Sequence, residues 1–155
     1  MHQTIHVVSS FYNEETIHNY NVALKTLTKN PSLRMAYGAN KWRHTDAKFN
    51  FAEMYPNLKA WQPGDIKNLM NDPIFTVAFG KELDAAMKAN VCVIIMPADI
   101  NGLLMAGFMA GLGKKVVALC IGQQIPALML GAFHIILTSW KEFESYFLVD
   151  YIKRD

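Results

Sequence analysis

Few acidic side chains are placed for chemistry, and they cluster around one apolar run, VCVIIM (91–96). Asp99 follows that run after Pro97 and Ala98, with Asn101 two residues further on. A carboxylate at the carboxyl end of a strand can accept hydrogen bonds from a sugar hydroxyl. It can equally cap the next helix by accepting from that helix's free N–H groups, and Asn101 can do the same. A phosphate suits the turn poorly, because like charge repels it and neither GxGxxG nor GxxxxGK is present. Glu82 and Asp84 precede the run on a helix-patterned segment. Solvated surface is the ordinary place for such a pair, yet one of them can still reach a sheet edge. His6 alternates with apolar neighbours in TIHVV (4–8) and points either into a site or into the core. The five histidines are scattered with no cysteine beside them, so no metal site is expected. Cys92 and Cys120 lie inside apolar runs, where thiols act as small hydrophobes in a reducing compartment.

The elements that must hold these groups follow from periodicity. TIHVV reads as a strand, and Glu14 to Thr28 carries Ile17, Tyr20, Leu24 and Leu27 at helical spacing, with Asn13 as a cap and Asn30-Pro31 as the stop. LRMAY (33–37) reads as a weaker second strand. Residues 38–73 are irregular and aromatic, with Trp42, Phe49, Phe51, Tyr55 and Trp61, and Pro63-Gly64 interrupts any helix between Leu58 and Met70. A long functional loop is expected there. Helical character resumes over 74–89, with Ala78, Leu83, Ala85, Ala86 and Met87 available for a packed face. VCVIIM, a helix over 101–112, the strand KVVALCI (115–121), the strand HIILT (134–138) and a helix from Trp140 to Leu148 capped by Ser139 complete the pattern.

Apolar strands alternating with helices indicate an α/β fold: a doubly wound, flavodoxin-like five-stranded parallel sheet flanked by helices. Such sheets bind ligands at the carboxyl ends of their strands near the switch in strand order, which selects the segments after Val8, Met96 and Ile121. The helix over 101–112 is apolar nearly all round and is expected to be buried against a helix or a subunit partner. Gly107 and Gly111 each cost about 1 kcal/mol relative to alanine within a helix, so close backbone approach is expected at both.

A chain of 155 residues fits one domain, 1–155, burying roughly 70% of its unfolded surface. A net charge of +2 without a block of like charges excludes an electrostatic footprint for nucleic acid or an anionic membrane. The apolar runs are too short to span a bilayer and no leader pattern opens the chain, so a cytoplasmic protein with small-molecule partners is expected. A flavin is disfavoured because SSFYNEET lacks a Ser/Thr-Gly phosphate-holding turn, and no cofactor is expected.

Four stretches together resemble the nucleoside 2-deoxyribosyltransferases, which exchange nucleobases on 2′-deoxyribose. They are FYNEETIHNYNVALKTLTKNP, ELDAAMKANVCVII, ADINGLLMAGFMAGLGKKVVALCI and PALMLGAFHIILTSWKEF. The similarity spans most of the chain except the aromatic middle. It implies the five-stranded fold, a nucleoside or nucleobase partner, and a homo-oligomer, dimer-based and up to a hexamer, in which a neighbour completes each site. The implied mechanism is covalent with retention: a Glu carboxylate attacks the anomeric carbon and a second base attacks the glycosyl-enzyme.

Matched by position, the sugar-binding Asp falls on Asp99 and the acid near the nucleobase on Glu82. The aromatic that orients the nucleophile falls on His6, and the turn near the base on Phe11 and Tyr12. The nucleophilic Glu falls on Met105, and the neighbour's Asp-Asn pair is replaced by FHII (133–136). A thioether cannot form a glycosyl ester, and losing a nucleophile can cost about 10⁶ in rate. Met105 also avoids the cost of burying a carboxylate. Two readings follow: a transferase or hydrolase using Asp99, Glu82 or Asp84, or a catalytically inactive relative that binds nucleosides or nucleotides or serves as a structural subunit.

Overall fold

The computed structural model describes residues 2–9, 14–37, 71, 73–98, 100–122 and 131–150. The elements are β1 (Gln3–Val8), α1 (Glu14–Leu27), β2 (Leu33–Met35), α2 (Pro73–Lys88), β3 (Val91–Met96), α3 (Ile100–Gly111), β4 (Lys115–Cys120), β5 (Ile135–Leu137) and α4 (Trp140–Ser145). The strands form one parallel sheet in the order β2-β1-β3-β4-β5. That is the expected doubly wound, flavodoxin-like architecture. The chain divides into one unit of Met1–Ala36 with Ala86–Asp155, which holds the whole sheet, and a second unit of Tyr37–Ala85, which holds most of α2.

Every residue of β3 is buried, as a strand covered on both faces requires. Period-two alternation splits the core of the first unit. Ile5, Val7, Val93, Ile95, Val117 and Leu119 face α1 and α4, whereas Val8, Cys92, Ile94, Met96, Ala118 and Cys120 face α3 and the end of α2. The buried residues of α1 are Thr16, Tyr20, Ala23, Thr26 and Leu27, so Tyr20 and Leu27 of the expected stripe are met and Leu24 packs partly buried against the core. Ile17 is 37% exposed, with Thr16 buried in its stead. On α2, Ala85 and Ala86 are buried as expected, but Met87 is 55% exposed.

Helix α1 stops where the sequence indicated. Asn30 is buried, its amide donates to the Phe147 carbonyl at 2.6 Å, and its Oδ1 accepts from the Ser32 N–H at 2.9 Å. The side chain therefore joins the end of α1 to the C-terminal helix. Ser139 caps α4, accepting from the Glu142 N–H at 3.2 Å, while the Glu142 carboxylate accepts from the Thr138 N–H at 2.7 Å. The helix expected to Leu148 changes at Tyr146 into a wider π-helical turn, Tyr146–Asp150. That widening coincides with the diversion of the Phe147 carbonyl to Asn30. Strand β2 ends at Met35 rather than 37, where the Ala36 N–H still donates to Ile5 O at 2.7 Å.

Helix α3 closes in a Schellman motif: Lys114 N–H donates to Met109 O, Gly113 N–H donates to Ala110 O, and Gly113 takes φ +71°. The turn sends the Lys114 ammonium back to the Ala86, Met87 and Ala89 carbonyls at the end of α2, where a cation complements the helix dipole. The close approach expected at Gly107 and Gly111 is not met among the described residues, where a Cβ at either would have nothing within 4 Å. Nor is α3 buried all round. Ala106 and Met109 are buried, but Leu104, Phe108 and Leu112 are 66%, 38% and 44% exposed. No helix among the described residues is long and apolar enough to cross a membrane.

Replacing Asn30 with alanine removes a buried donor and acceptor and leaves the Phe147 carbonyl without that amide. Urea denaturation of Asn30→Ala is expected to show a loss of about 1–3 kcal/mol; an unchanged midpoint would refute the tie.

Candidate active site at the sheet edge

The strand order reverses between β1 and β3: from β1 the chain proceeds outward to β2, and from β3 it proceeds the other way to β4 and β5. Their carboxyl ends lie side by side, with Val8 in register with Ile94. This is the switch-point crevice where doubly wound sheets hold ligands. The next pair along that register is Ser9 and Ile95, and there the main-chain ladder has ended. The buried Ser9 hydroxyl reaches across instead, donating to Ile95 O at 3.4 Å.

Two of the expected site residues, His6 and Met105, lie on the α3 side of the sheet in the first unit. His6 is buried on the β1 face that also carries Val8, opposite Cys92. Its Nδ1 lies 2.9 Å from Ala36 O. A carbonyl only accepts, so the ring donates from Nδ1 and its orientation is fixed from the end of β2. The side chain thus belongs to the core while standing directly below the crevice. Met105 is half-buried and packs on the same cluster as Val8, Met96, Ala106 and Cys120. It stands about 7.5 Å of helix rise from the start of α3. On this face Val8 shares a row with Ile94 and Ala118, and Met96 with Cys120 forms the row beyond it at the strand ends. These side chains, like Met105, carry no charge.

Asp99, Phe11 and Tyr12 lie outside the described residues, as does Asn13. Glu82 is half-buried and Asp84 exposed on the part of α2 that belongs to the second unit. Among the described residues no group of three or more His, Cys, Asp or Glu could hold a metal ion. The sequence reading passed over Ser9 and Lys114. Ser9 carries a signal, a polar residue directly after an apolar strand, whereas the reach of Lys114 back to α2 depends on a tertiary contact.

No protein-family model and no curated protein sequence matches the chain. Solved structures do. A 2-deoxyribosyltransferase from the psychrotolerant bacterium Bacillus psychrosaccharolyticus superposes with a TM-score of 0.69 at 17% identity, over 93% of this chain and 92% of that one. The chain has the deoxyribosyltransferase fold. A conserved protein from Enterococcus faecalis V583 matches with a TM-score of 0.65 at 11% identity over the whole of both chains. A CMP N-glycosidase from Clostridium botulinum matches at 0.53 and 8% identity, over 95% of this chain and all of that one. The deoxyribosyltransferase fold thus agrees with the likeness carried by the sequence motifs, and a CMP N-glycosidase is among the proteins that share it.

Burial pushes the Cys120 thiol above its ordinary range by desolvating the thiolate. A raised folded-state pKa means that the associated stability is present below the unfolded value of 9.0 and is lost as pH rises past it. Stability measured from pH 8 to about 10.5 is expected to fall more steeply in the wild type than in Cys120→Ala. Native Cys120 is expected to resist alkylation until the protein unfolds; rapid native labelling followed by mass spectrometry would contradict the buried placement.

Proposed function

We propose that the protein acts on the N-glycosidic bond of nucleosides or deoxynucleosides at the β1/β3 edge, by nucleobase exchange or by hydrolysis. The carrying observation is the fold match to a 2-deoxyribosyltransferase over nearly the whole chain, with the strand order reversing between β1 and β3. The CMP N-glycosidase adds support, since an N-glycosidase breaks the same class of bond.

Position 105 sets the chemistry. A retaining exchange needs a carboxylate that forms an ester with C1′, and a thioether in an apolar layer cannot supply one. The carboxylate is then Asp99 or Glu82. In hydrolysis it takes a proton from water as the water oxygen bonds to C1′ and the C1′–N bond breaks, the base leaving with its electron pair and then gaining a proton. In exchange the carboxylate stabilises the positive charge that develops at C1′ as the first base leaves with its electron pair, and the incoming nucleobase bonds to C1′ on the face just vacated, its proton passing to the departed base. Phe11 and Tyr12 flank the base, and His6 supports the floor from below.

A second copy of the chain completes the assembly in this reading. Leu104, Phe108 and Leu112 form an exposed ridge at i, i+4 and i+8, beside the open surface at Gly107 and Gly111. A ridge and a shallow groove on one uncharged helix are self-complementary about a two-fold axis. Sedimentation is expected to show a dimer or a multiple of it, and Phe108→Glu is expected to dissociate it; a monomeric wild type would overturn this assignment.

Chromatography of a deoxynucleoside, with and without a free acceptor base, tests the activity. Wild-type turnover is expected to fall by about 10³-fold or more in Asp99→Asn or Glu82→Gln, whichever carries the chemistry. Turnover confined to Met105→Glu would identify a nucleoside-binding relative that has lost its nucleophile. Binding and turnover absent from both proteins would refute the reading.

A further inference from the structure

Ser9 is the described polar side chain at the switch point that the covalent scheme leaves without a role. It is 4% exposed. Burying a hydroxyl is costly unless it is well hydrogen-bonded, and the bond it makes among the described residues, to Ile95 O at 3.4 Å, is longer than the usual O–H···O range. The bond also occupies a particular place: one residue beyond the last register pair, Val8 with Ile94, where β1 and β3 separate. A purely structural bridge would be expected near 2.8 Å. With its proton directed to Ile95 O, the oxygen keeps its acceptor lone pairs for a group entering from the crevice.

We propose that Ser9 Oγ accepts a hydrogen bond from a donor of the bound nucleoside, either a sugar O–H or a base N–H, and so fixes the depth at which the nucleoside sits. The assignment rests on the reading of this edge as a nucleoside site and adds a binding residue to it. Donation to Ile95 O persists when ligand is bound, so the hydroxyl relays one chain of hydrogen bonds from ligand to strand, each bond polarising the next.

The test measures dissociation constants of 2′-deoxyadenosine, its 3′-deoxy and 5′-deoxy analogues, and its N6-dimethyl analogue for the wild type, Ser9→Ala and Ser9→Thr. The wild type is expected to bind the analogue lacking the contacted donor about three- to tenfold more weakly than the parent. Ser9→Ala is expected to bind the parent that much more weakly and to lose the discrimination, and Ser9→Thr to restore it. Loss on the 3′-deoxy or 5′-deoxy analogue identifies a sugar hydroxyl, and loss on the dimethyl analogue the base amino group. Parent affinity unchanged in Ser9→Ala, or weakened equally for every analogue, overturns the proposal while leaving the nucleoside site standing. A wild type that binds none of the four overturns both.

Discussion

The pairing of β1 with β3 is the constraint from which the rest of the described structure follows. These strands are distant in sequence, yet Ile5 to Val8 run in register with Val91 to Ile94. The pairing is also tied at its base: Asn90 N–H donates to Thr4 O at 2.7 Å, and Thr4 N–H donates to the Asn90 side chain at 3.0 Å. With β1 and β3 adjacent, β2 is directed to one edge and β4 and β5 to the other, and a crevice forms at their carboxyl ends. A right-handed crossover rule then places the intervening helices on the two faces.

The two faces differ in what they bury. The α1 and α4 side is closed by branched aliphatic and aromatic side chains, with Phe143 between Trp140 and Phe147 at ring distances of 5.6 and 4.9 Å. The α3 side contains every sulfur-bearing residue of the two buried clusters: Cys92, Met96, Met109 and Cys120, with Met105 packed against them. Thioethers are unbranched and polarizable and adapt to irregular gaps. A methionine at 105 therefore continues the material of that face, where a carboxylate would have to be desolvated and held by partners.

Much of this was legible in the sequence because apolar runs of strand length have little ambiguity when helices separate them. VCVIIM and KVVALC appear within a residue of their expected bounds, and Ser139 caps as its position implied. Legibility failed where periodicity could not see tertiary packing. On α1 the expected Tyr20 and Leu27 are buried, but Thr16 is buried where Ile17 was expected, because a helical period leaves open how far the apolar face is rotated toward the sheet. Gly107 and Gly111 promised a close neighbour that is absent among the described residues. At the edge, the motif likeness directed attention to charged and aromatic residues, whereas the geometry adds a serine hydroxyl whose importance depends on where two strands separate.

Methyl NMR of methionine-labelled protein titrated with a deoxynucleoside tests the placement of the site most directly, because methionines stand at informative positions in the described structure. A nucleoside in the β1/β3 crevice shifts the Met96 and Met105 methyls while leaving Met35, packed on the opposite core, and Met87, exposed at the end of α2, unmoved. Saturable shifts at Met35 or Met87 with Met96 and Met105 unchanged would place the ligand elsewhere and contradict the assignment of this edge.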